Sequence, residues 1–463
     1  MDLLDPLKQY FGFTSFRQGQ EEIISTLLNQ KDVLAILPTG NGKSLCYQLT
    51  GYLQDGMVLI VSPLLSLMED QVGQLQKRGE KRVVAYNSLL TRSEKQYVLA
   101  HLSEYKFVFV SPEMLQQPEV LHALKQQKIS LYVVDEAHCV SQWGIDFRPE
   151  YQSLGRVAKE LGSPTTLALT ATATRPVQEE IEHILFRTKP VIVKHSVNRE
   201  NISLFVFHTD EKDQQLRQLM AQADGAMIIY CATKKEVERL YQLFRKDYAV
   251  GYYHGGLDAS QRRQLQQQFS QNQLQFLIAT NAFGMGIDKA DIRYVIHYDL
   301  PDSLENYMQE IGRAGRDQRP SSAVLLYRPG DEGIHYFFQQ LSKEQRQIFE
   351  EHLSTGQSEA PQFDEIQQKW LMLVNEMQSP DTWLLQLKKQ EQVKIKQLQQ
   401  MLAYIHTTSC RRERLMDYFG ETLKEKPEKC CDRDGASLFL SETGHTSPTV
   451  EATDWQTILL NLF

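Results

Sequence analysis

The sequence predicts two doubly wound α/β domains in series, each built on a parallel sheet, followed by a helical region. Short apolar runs rich in β-branched residues alternate with helical patterns in the first half of the chain, and a second set follows after about Lys194. The strand signal stops at about Pro329. Because the runs are almost continuously hydrophobic, they indicate strands that helices cover on both faces. The first set is DVLAIL, MVLIVSP, KFVFVSP, LYVVDE and TTLALT, and the second is AMIIYC, VGYYHG, LQFLIAT, RYVIHYD and AVLLYR.

The chain of 463 residues is long enough for these units, at roughly 150 residues a domain. We predict a first domain at 1–199, a second at 200–332, a helical region with a cysteine cluster at 333–435, and a linker with a terminal helix at 436–463. No apolar run approaches the roughly 18 residues of a membrane span, and no charged-then-apolar leader stands at the N-terminus, so a cytoplasmic protein is expected. The net charge of −8 argues against a surface coated with basic residues, although it does not exclude a local basic groove.

A glycine-rich turn between a strand and a helix, in DVLAILPTGNGKSLCYQLTGYL, has the order that a phosphate-binding loop requires. Its glycines let backbone N–H groups approach phosphate oxygens, its lysine supplies a positive charge, and its serine hydroxyl can bind Mg²⁺. The full pattern has glycine where Leu37 stands, so the match is to the shorter Pro-Thr-Gly-x-Gly-Lys-Ser. Standing alone, GNGKS could equally be a chance turn. The residues predicted to contact ATP here are Thr39, Gly40, Asn41, Gly42, Lys43 and Ser44.

An acidic pair ends the strand in YVVDEAH. Asp135 is positioned to hold a metal ion together with Ser44, and Glu136 to orient and deprotonate the water that attacks a γ-phosphate. A solvated acidic strand end is the plainer alternative, but the glycine-rich turn upstream favours catalysis. The pair therefore predicts ATP hydrolysis that depends on Mg²⁺.

The segment QEIGRAGRD of the second unit carries Gln309, Arg313 and Arg316, and its pattern predicts that they lie on one helix with the arginines on one face. One interpretation is a basic, solvated helix face. The other is an arginine finger that crosses a domain cleft to the charge of the transition state, an effect worth roughly a thousandfold or more in rate. A cleft with one catalytic part on each wall would open and close with nucleotide, as in a motor protein.

Together with further motifs, these residues resemble the RecQ family of DNA helicases, within helicase superfamily 2. The resemblance runs from Tyr10 to about Asp434 and is highly specific because many motifs occur in order. It implies two RecA-like domains and an ATP-driven helicase of bacterial type that moves 3′ to 5′ on single-stranded DNA and serves repair or recombination. The further motifs are FGFTSFRQGQEEII, VSPLLSLMEDQV, SPE at Ser111 to Glu113, LTATAT, YHGGL and IATNAFGMGID.

The resemblance also implies contacts with the adenine base and with DNA. Phe13 would stack on the base, Arg17 and Gln20 would contact it, and Asp288 would belong to the ATP site. RecQ proteins carry an aromatic-rich loop directly after the acidic pair, where this chain has SQWGIDFRPEY, with Ile145 in place of the usual histidine.

In that loop, Trp143 and Phe147 offer flat surfaces on which unpaired bases stack, at roughly 1–3 kcal/mol each, and Arg148 can pair with a phosphate. The polar context, punctuated by glycine and proline, favours an exposed loop over the alternative that these aromatics are core residues.

The segment CRRERLMDYFGETLKEKPEKCCDRDG resembles the zinc module of the family, in which one cysteine begins a helix and three follow in a loop. Cys410, Cys430 and Cys431 fit, and Asp434 takes the fourth position. A carboxylate is an acceptable Zn²⁺ ligand, yet structural sites are nearly always built from Cys and His, so a degenerate site without metal is the alternative. The remaining cysteines are expected to be buried, reduced thiols: Cys46, Cys139 and Cys231.

The last residues, TDWQTILLNLF, resemble only the first helix of the winged-helix domain with which relatives continue, so we expect a short form with a weaker grip on duplex DNA. Two other functions stay open: an RNA helicase, and a nucleic-acid-stimulated ATPase that displaces proteins without separating strands. We expect a nucleoid-associated protein; the oligomeric state stays open, with a monomer favoured. Its expected partners are single-stranded and forked DNA, with single-strand-binding or recombination proteins as candidates.

Overall fold

Two all-parallel sheets form the larger part of the protein, as the sequence predicts. The computed structural model describes residues 2–140, 149–283, 289–355, 363–377 and 380–438. The strands of the first sheet are β1 Val33–Ile36, β2 Met57–Val61, β3 Val83–Tyr86, β4 Phe107–Val110, β5 Ile129–Val134, β6 Thr166–Thr170 and β7 Val191–Lys194. Their order across the sheet is β3-β4-β2-β5-β6-β1-β7.

Helices cover both faces of this sheet, and an apolar core lies on each face. The helices are α1 Leu4–Phe11, α2 Gln20–Leu28, α3 Lys43–Leu53, α4 Leu65–Lys77, α5 Arg92–Ala100, α6 Pro112–Leu115, α7 Pro118–Lys125, α8 Leu154–Glu160 and α9 Arg175–Leu185. Strands β2, β4 and β1 are buried along their whole length, which explains their unbroken hydrophobic sequences.

The second sheet contains β8 Ile202–His208, β9 Ala226–Tyr230, β10 Val250–Tyr253, β11 Phe276–Ala279, β12 Ile292–His297 and β13 Ser321–Tyr327. Its order is β10-β11-β9-β12-β13-β8, and all its strand pairs are parallel. The helices of this unit are α10 Lys212–Gln222, α11 Lys234–Phe244, α12 Ala259–Ser270 and α13 Leu304–Ile311.

All ten predicted strands are present, and three more were missed. Strands β3 and β7 are short, partly exposed edge strands, so their sequences lack the continuous apolar pattern that marks a buried strand. Strand β8 was missed although it is longer and mostly buried; it directly follows the predicted boundary between the two domains.

The predicted helical region follows the second sheet. Its helices are α14 Gly333–Thr355, α15 Glu365–Met377, α16 Pro380–Ile405 and α17 Arg411–Tyr418. The first three share a small core that includes Phe349, Trp370 and Trp383. Within the described ranges, no helix is long and apolar enough to cross a membrane.

The cysteine segment after α17 packs against the edge of the second sheet. The backbone N–H of Leu204 in β8 donates to the carbonyl of Cys430 at 3.2 Å, and Leu204 and Cys431 form a parallel bridge. Cys410, Cys430 and Cys431 belong to the same apolar core as β8 and β13. The segment therefore covers a sheet edge that would otherwise leave backbone groups unpaired.

Candidate functional site

The glycine-rich turn lies between β1 and α3. Gly40 and Gly42 have left-handed φ values of 84° and 69°, and α3 begins at Lys43 directly after them. The first N–H groups of a helix have no partner within it, so they and the helix dipole make this turn a site for an anion. Arg17 donates to the carbonyl of Gly40, and the Gln20 amide donates to the carbonyls of Asn41 and Gly42 at 3.0 and 3.1 Å.

The turn opens into a cavity of about 690 Å³. Phe13, 50% exposed, stands on one wall. Other predicted residues line the same space: Arg17, Gln20, Thr39, Gly40, Gly42, Lys43, Ser44, Asp135, Glu136 and Arg316. The cavity is therefore built from both sheet domains, with Ala290 and Arg316 as the described contributions of the second.

The acidic pair follows β5 at the floor of this cavity. The backbone of Asp135 donates to the carbonyl of Val61 at 2.9 Å, and Glu136 adopts a left-handed φ of 48°. Burial raises the pKa of Asp135 well above its usual range, with a further rise from Glu136 and an opposing effect of Lys43. A buried carboxylate with raised proton affinity beside a second buried carboxylate is a setting that a divalent cation would relieve, so the donor set fits Mg²⁺.

Oε2 of Glu136 is buried and accepts no hydrogen bond from the described residues, although Nδ1 of His138 lies 3.4 Å away. The imidazole instead makes its short contact, 3.0 Å, with the hydroxyl of Thr170. Burial lowers the pKa of His138, so the ring is neutral at pH 7. Glu136 therefore retains a free acceptor oxygen.

The prediction that Gln309, Arg313 and Arg316 share one helix is wrong. Helix α13 ends at Ile311, so Gln309 lies in its last turn and both arginines lie in the turn that follows. Arg313 is 3% exposed and lies beside Tyr230 inside the second domain, where its positive charge acts to lower the pKa of the Tyr230 hydroxyl against the larger effect of burial. The two glycines in GRAGR break the helical pattern that their neighbours suggested.

The two walls of the cleft touch where glycines allow it. The Thr39 hydroxyl donates to the carbonyl of Gly312 at 3.1 Å, and a Cβ at Gly312 would lie 2.2 Å from that hydroxyl oxygen. A Cβ at Gly40 would lie 3.2 Å from Cγ of Arg316. Gln309 lines a very small cavity at the same contact, together with Thr172 and Arg199.

Sequence reasoning missed two residues that support the turn carrying Arg316, of which Arg199 also contacts Thr39 on the other wall. Arg199 and Asn201, which precede β8, donate to backbone carbonyls of the turn that carries Arg316. Both belong to NREN, a polar stretch without a catalytic pattern, and their partners lie more than 100 positions away. The only available signal was an arginine at a predicted domain boundary.

The cysteine cluster is compact. Sγ of Cys410 lies 3.5 Å from Sγ of Cys430 and 4.0 Å from Sγ of Cys431, and Sγ of Cys431 lies 3.0 Å from Oδ2 of Asp434. Four potential ligand atoms lie within 4.8 Å of one another. Tetrahedral Zn²⁺ with bonds of about 2.3 Å to sulfur separates its sulfurs by about 3.8 Å, so the donor set fits this metal.

Hydrogen bonding within the cluster favours a thiolate. The hydrogen bond with Cys430 lowers the pKa of Cys431, and the contact with Cys410 lowers the pKa of Asp434. The guanidinium of Arg412 lies against Cys430, with Nε 3.4 Å from Sγ. As predicted, Cys46, Cys139 and Cys231 are buried and free of disulfides, and burial raises the pKa of Cys46 to about 12.

Four predicted site residues lie outside the described residues: Trp143, Phe147, Arg148 and Asp288. The chain on the far side of the aromatic-rich segment is tied to the acidic pair, because the Tyr151 hydroxyl donates to the carbonyl of Asp135 at 3.2 Å. Gln152 donates to the carbonyl of Val140, the last described residue before the segment.

Three family models match the chain: the DEAD/DEAH box helicase model at residues 17–180, the helicase conserved C-terminal domain at 211–318, and the RecQ zinc-binding model at 364–434. The chain is similar to a probable ATP-dependent DNA helicase RecS of Bacillus subtilis, with 43% identity over 100% of this chain and 98% of that protein. It is 38% identical to the ATP-dependent DNA helicase RecQ of Pasteurella multocida over 93% of this chain, and it spans 61% of that protein.

A solved structure of the Mycobacterium smegmatis helicase Lhr, bound to single-stranded DNA and AMP-PNP, is similar with a TM-score of 0.58. That likeness covers 86% of this chain and 58% of the other at 20% identity, and it supports the fold alone. The family models and the relative matched along nearly its whole length agree with the geometry of the cleft and the cysteine cluster: the chain belongs to the RecQ family of ATP-dependent DNA helicases.

Proposed function

We propose that this protein couples ATP hydrolysis to 3′-to-5′ translocation on single-stranded DNA and to the unwinding of duplex DNA, in repair or recombination. The proposal depends above all on one observation: a single cavity holds a phosphate-type loop and an acidic pair from one sheet domain and Arg316 from the other. A nucleotide in this cavity would contact both domains, so its hydrolysis would alter how they meet.

In this mechanism the N–H groups of the turn at Gly40 and Gly42 bind the phosphates, and Lys43 adds charge. Phe13 stacks on the adenine base. Arg17 and Gln20 support the turn through its backbone carbonyls and contact the base. The free oxygen of Glu136 orients the attacking water and accepts its proton.

Arg316 lies across the cleft and stabilises charge that develops on the γ-phosphate. Arg313, buried against Tyr230, supports the turn from within the second domain. Gln309 links the cleft to the first domain beside Thr172. Ser44 and Asp135 would hold Mg²⁺, which when bound neutralises phosphate charge. Asp288 is proposed as a further ATP contact on sequence grounds.

DNA would contact the segment that joins the acidic pair to Pro149. Trp143 and Phe147 are proposed to stack on bases and Arg148 to bind a phosphate. The hydrogen bond from Tyr151 to the backbone of Asp135 gives that segment a direct route to the ATP site. Occupancy of the strand would thereby influence hydrolysis.

The cysteine cluster is proposed to bind one Zn²⁺ through Cys410, Cys430, Cys431 and Asp434. Bound metal would crosslink α17 to the segment on the edge of β8. We further propose functional units at 1–199, 200–332 and 333–435, with a linker and terminal helix at 436–463.

Strand displacement tests the function. Duplexes with a single-stranded 3′ tail, a 5′ tail, or a fork are incubated with protein, Mg²⁺ and ATP, and release of the labelled strand is measured. We expect displacement on 3′-tailed and forked DNA, and none with a non-hydrolysable analogue. Unwinding from the 5′ tail would overturn the polarity.

ATPase stimulation by matched single-stranded DNA and RNA separates the remaining alternatives. Stronger stimulation by RNA would favour an RNA helicase. Stimulation by DNA without strand displacement, together with removal of a protein block from single-stranded DNA, would favour the remodelling ATPase.

A further inference from the structure

The segment between β7 and β8 connects the two sheet domains and carries Arg199. One nitrogen of its guanidinium, Nη1, lies 3.4 Å from the carbonyl of Thr39 and 3.2 Å from that of Gly312. The other, Nη2, donates to the carbonyls of Ala314 and Gly315 at 3.1 and 2.6 Å. A single side chain therefore contacts both walls of the ATP cleft.

These carbonyls belong to the two parts that must meet for hydrolysis. Thr39 is in the phosphate-type loop, and the stretch from Gly312 to Gly315 is the turn that presents Arg316. A planar guanidinium has donors in a fixed fork, so it can satisfy all four carbonyls in only one relative position of loop and turn. Lysine could carry the charge but could not form the fork.

The positive charge of Arg199 also influences the orientation of Arg316. Burial lowers the pKa of Arg199 to about 10, and the nearby positive charge of Arg316 adds to this lowering. Two guanidinium groups repel each other, and Arg199 is held by carbonyls away from the cavity. The repulsion therefore favours positions in which Arg316 points into the cavity, where an anion would bind.

The opposite side of the segment is anchored by the helical region. Nη1 of Arg412 donates to the carbonyl of Arg199 at 2.9 Å and to Oδ1 of Asn198 at 2.6 Å. Glu421 accepts from the Ser196 hydroxyl at 2.6 Å and from the backbone of Val197 at 3.3 Å. The backbone from which Arg199 extends is thus fixed by two residues that lie between Cys410 and Cys430 in the chain.

We propose that Arg199 is a positioning residue for ATP hydrolysis: it sets the distance between the phosphate-type loop and the turn carrying Arg316, and Arg412 fixes the backbone from which it acts. This inference rests on the proposed role of Arg316. The connecting segment then does more than tether the two domains, because its arginine contacts four backbone carbonyls whose relative positions change when the cleft closes.

Steady-state ATPase kinetics at saturating single-stranded DNA test the proposal with Arg199→Lys and Arg199→Ala. We expect kcat to fall by about tenfold or more in both, because small misplacements of a catalytic group are costly. The KM for ATP and the affinity for a fluorescent ATP analogue should stay within about threefold of wild type, since the loop, Lys43 and Phe13 are intact. Arg412→Lys should lower kcat less than either.

Arg239→Ala is the matched control. It removes ion pairs with Asp213 and Glu236 in the second domain, at 2.8 and 2.7 Å, but touches neither wall of the cleft. It should lower the melting temperature and leave kcat within about twofold of wild type. Arg239→Ala shows how much kcat changes for a given loss of melting temperature. If the Arg199 variants lost kcat only in that same proportion, the positioning role would be refuted.

Arg316→Ala, assayed in parallel, separates this inference from the proposed function. Wild-type turnover in Arg316→Ala would overturn the role of Arg316 and the inference with it. A strong loss in Arg316→Ala combined with normal kcat in Arg199→Lys would overturn the inference alone. Strong loss in both, with ATP binding retained, is the expected result.

Discussion

The two sheets have the same strand order and very different chemistry. Strands β8 to β13 of the second sheet occupy the positions of β1 to β6 in the first, and β7 is an additional edge strand. Yet β1 leads into the glycine-rich turn, whereas β8 leads into HTDEKD, which contains no glycine. Likewise the acidic pair directly follows β5, while Tyr298 and Asp299 directly follow β12. Shared topology thus supplies a scaffold, and the loops decide which copy does chemistry.

The second difference is the edge that each sheet presents. Thr39 follows the carboxyl end of β1, whereas Arg199 and Asn201 precede the amino end of β8. The contacts of Thr39 with Gly312 and with Arg199 bring the carboxyl edge of the first sheet against the amino edge of the second. A head-to-tail arrangement of this kind gives one composite cleft rather than two equivalent sites.

The largest expected effect comes from neutralising the acidic residue that follows β5, compared with neutralising the one that follows the equivalent strand β12. Glu136→Gln should lower DNA-stimulated turnover at least about a hundredfold with ATP binding retained, because the attacking water loses its base. Asp299→Asn is the control: its carboxylate accepts from the backbone of Ala232 at 2.9 Å and lies outside the cavity. Turnover of Glu136→Gln within a few-fold of wild type would refute the catalytic assignment.

Two pairs of aromatic residues, one in the segment after β5 and one on α14, should differ in DNA binding. In Trp143→Ala with Phe147→Ala, the concentration of single-stranded DNA that half-stimulates the ATPase should rise by about tenfold or more, because each stack is worth roughly 1–3 kcal/mol. Tyr336→Ala with Phe337→Ala removes aromatics of α14 that are 53% and 62% exposed, and it should change nothing. If both double variants gave the same curve of ATPase activity against DNA concentration, Trp143 and Phe147 would have a structural role and not a DNA-binding one.

Gly312→Ala should weaken the contact between the two domains at Thr39 and Gly312. The added Cβ would meet the Thr39 hydroxyl at 2.2 Å, so the closed cleft should cost about 1–3 kcal/mol more and kcat should fall by about tenfold. Thr39→Ala in the same chain should relieve part of that cost. Gly333→Ala, where no atom lies within 4 Å of the new Cβ, should be neutral. A loss that Thr39→Ala does not reduce would argue against this contact in the working enzyme.

The smallest expected effect concerns the cysteine cluster that covers the edge of the second sheet. Purified without chelator, the protein should contain about one zinc per chain. Retention against a chelator should rank Asp434→Cys above wild type and wild type above Asp434→Ala, because sulfur binds Zn²⁺ more readily than carboxylate oxygen. The melting temperature should shift by only a few degrees. Much less than one zinc in the wild type would favour the degenerate site.

Sequence patterns with local causes were sufficient for much of this molecule. Buried parallel strands require unbroken apolar runs, and a phosphate-type turn requires its glycines next to a helix start, so ten strands and the turn at Gly40 and Gly42 were predictable. Edge strands β3 and β7 were missed because one exposed face relaxes that requirement. The helix expected to carry both Arg313 and Arg316 was wrong because a glycine turn ended it at Ile311.

By itself the sequence predicted the fold class and supplied the candidates for the phosphate-type loop, the acidic pair and the cysteine ligands, because each depends on residues close together in the chain or on a fixed motif order. Only the tertiary structure decided that Arg316 faces the cavity while Arg313 is buried, and that Arg199 and Arg412 connect the cysteine cluster to the cleft. Those choices depend on contacts between residues up to more than 200 positions apart. No local pattern encodes such distances, because the packing of whole domains creates them.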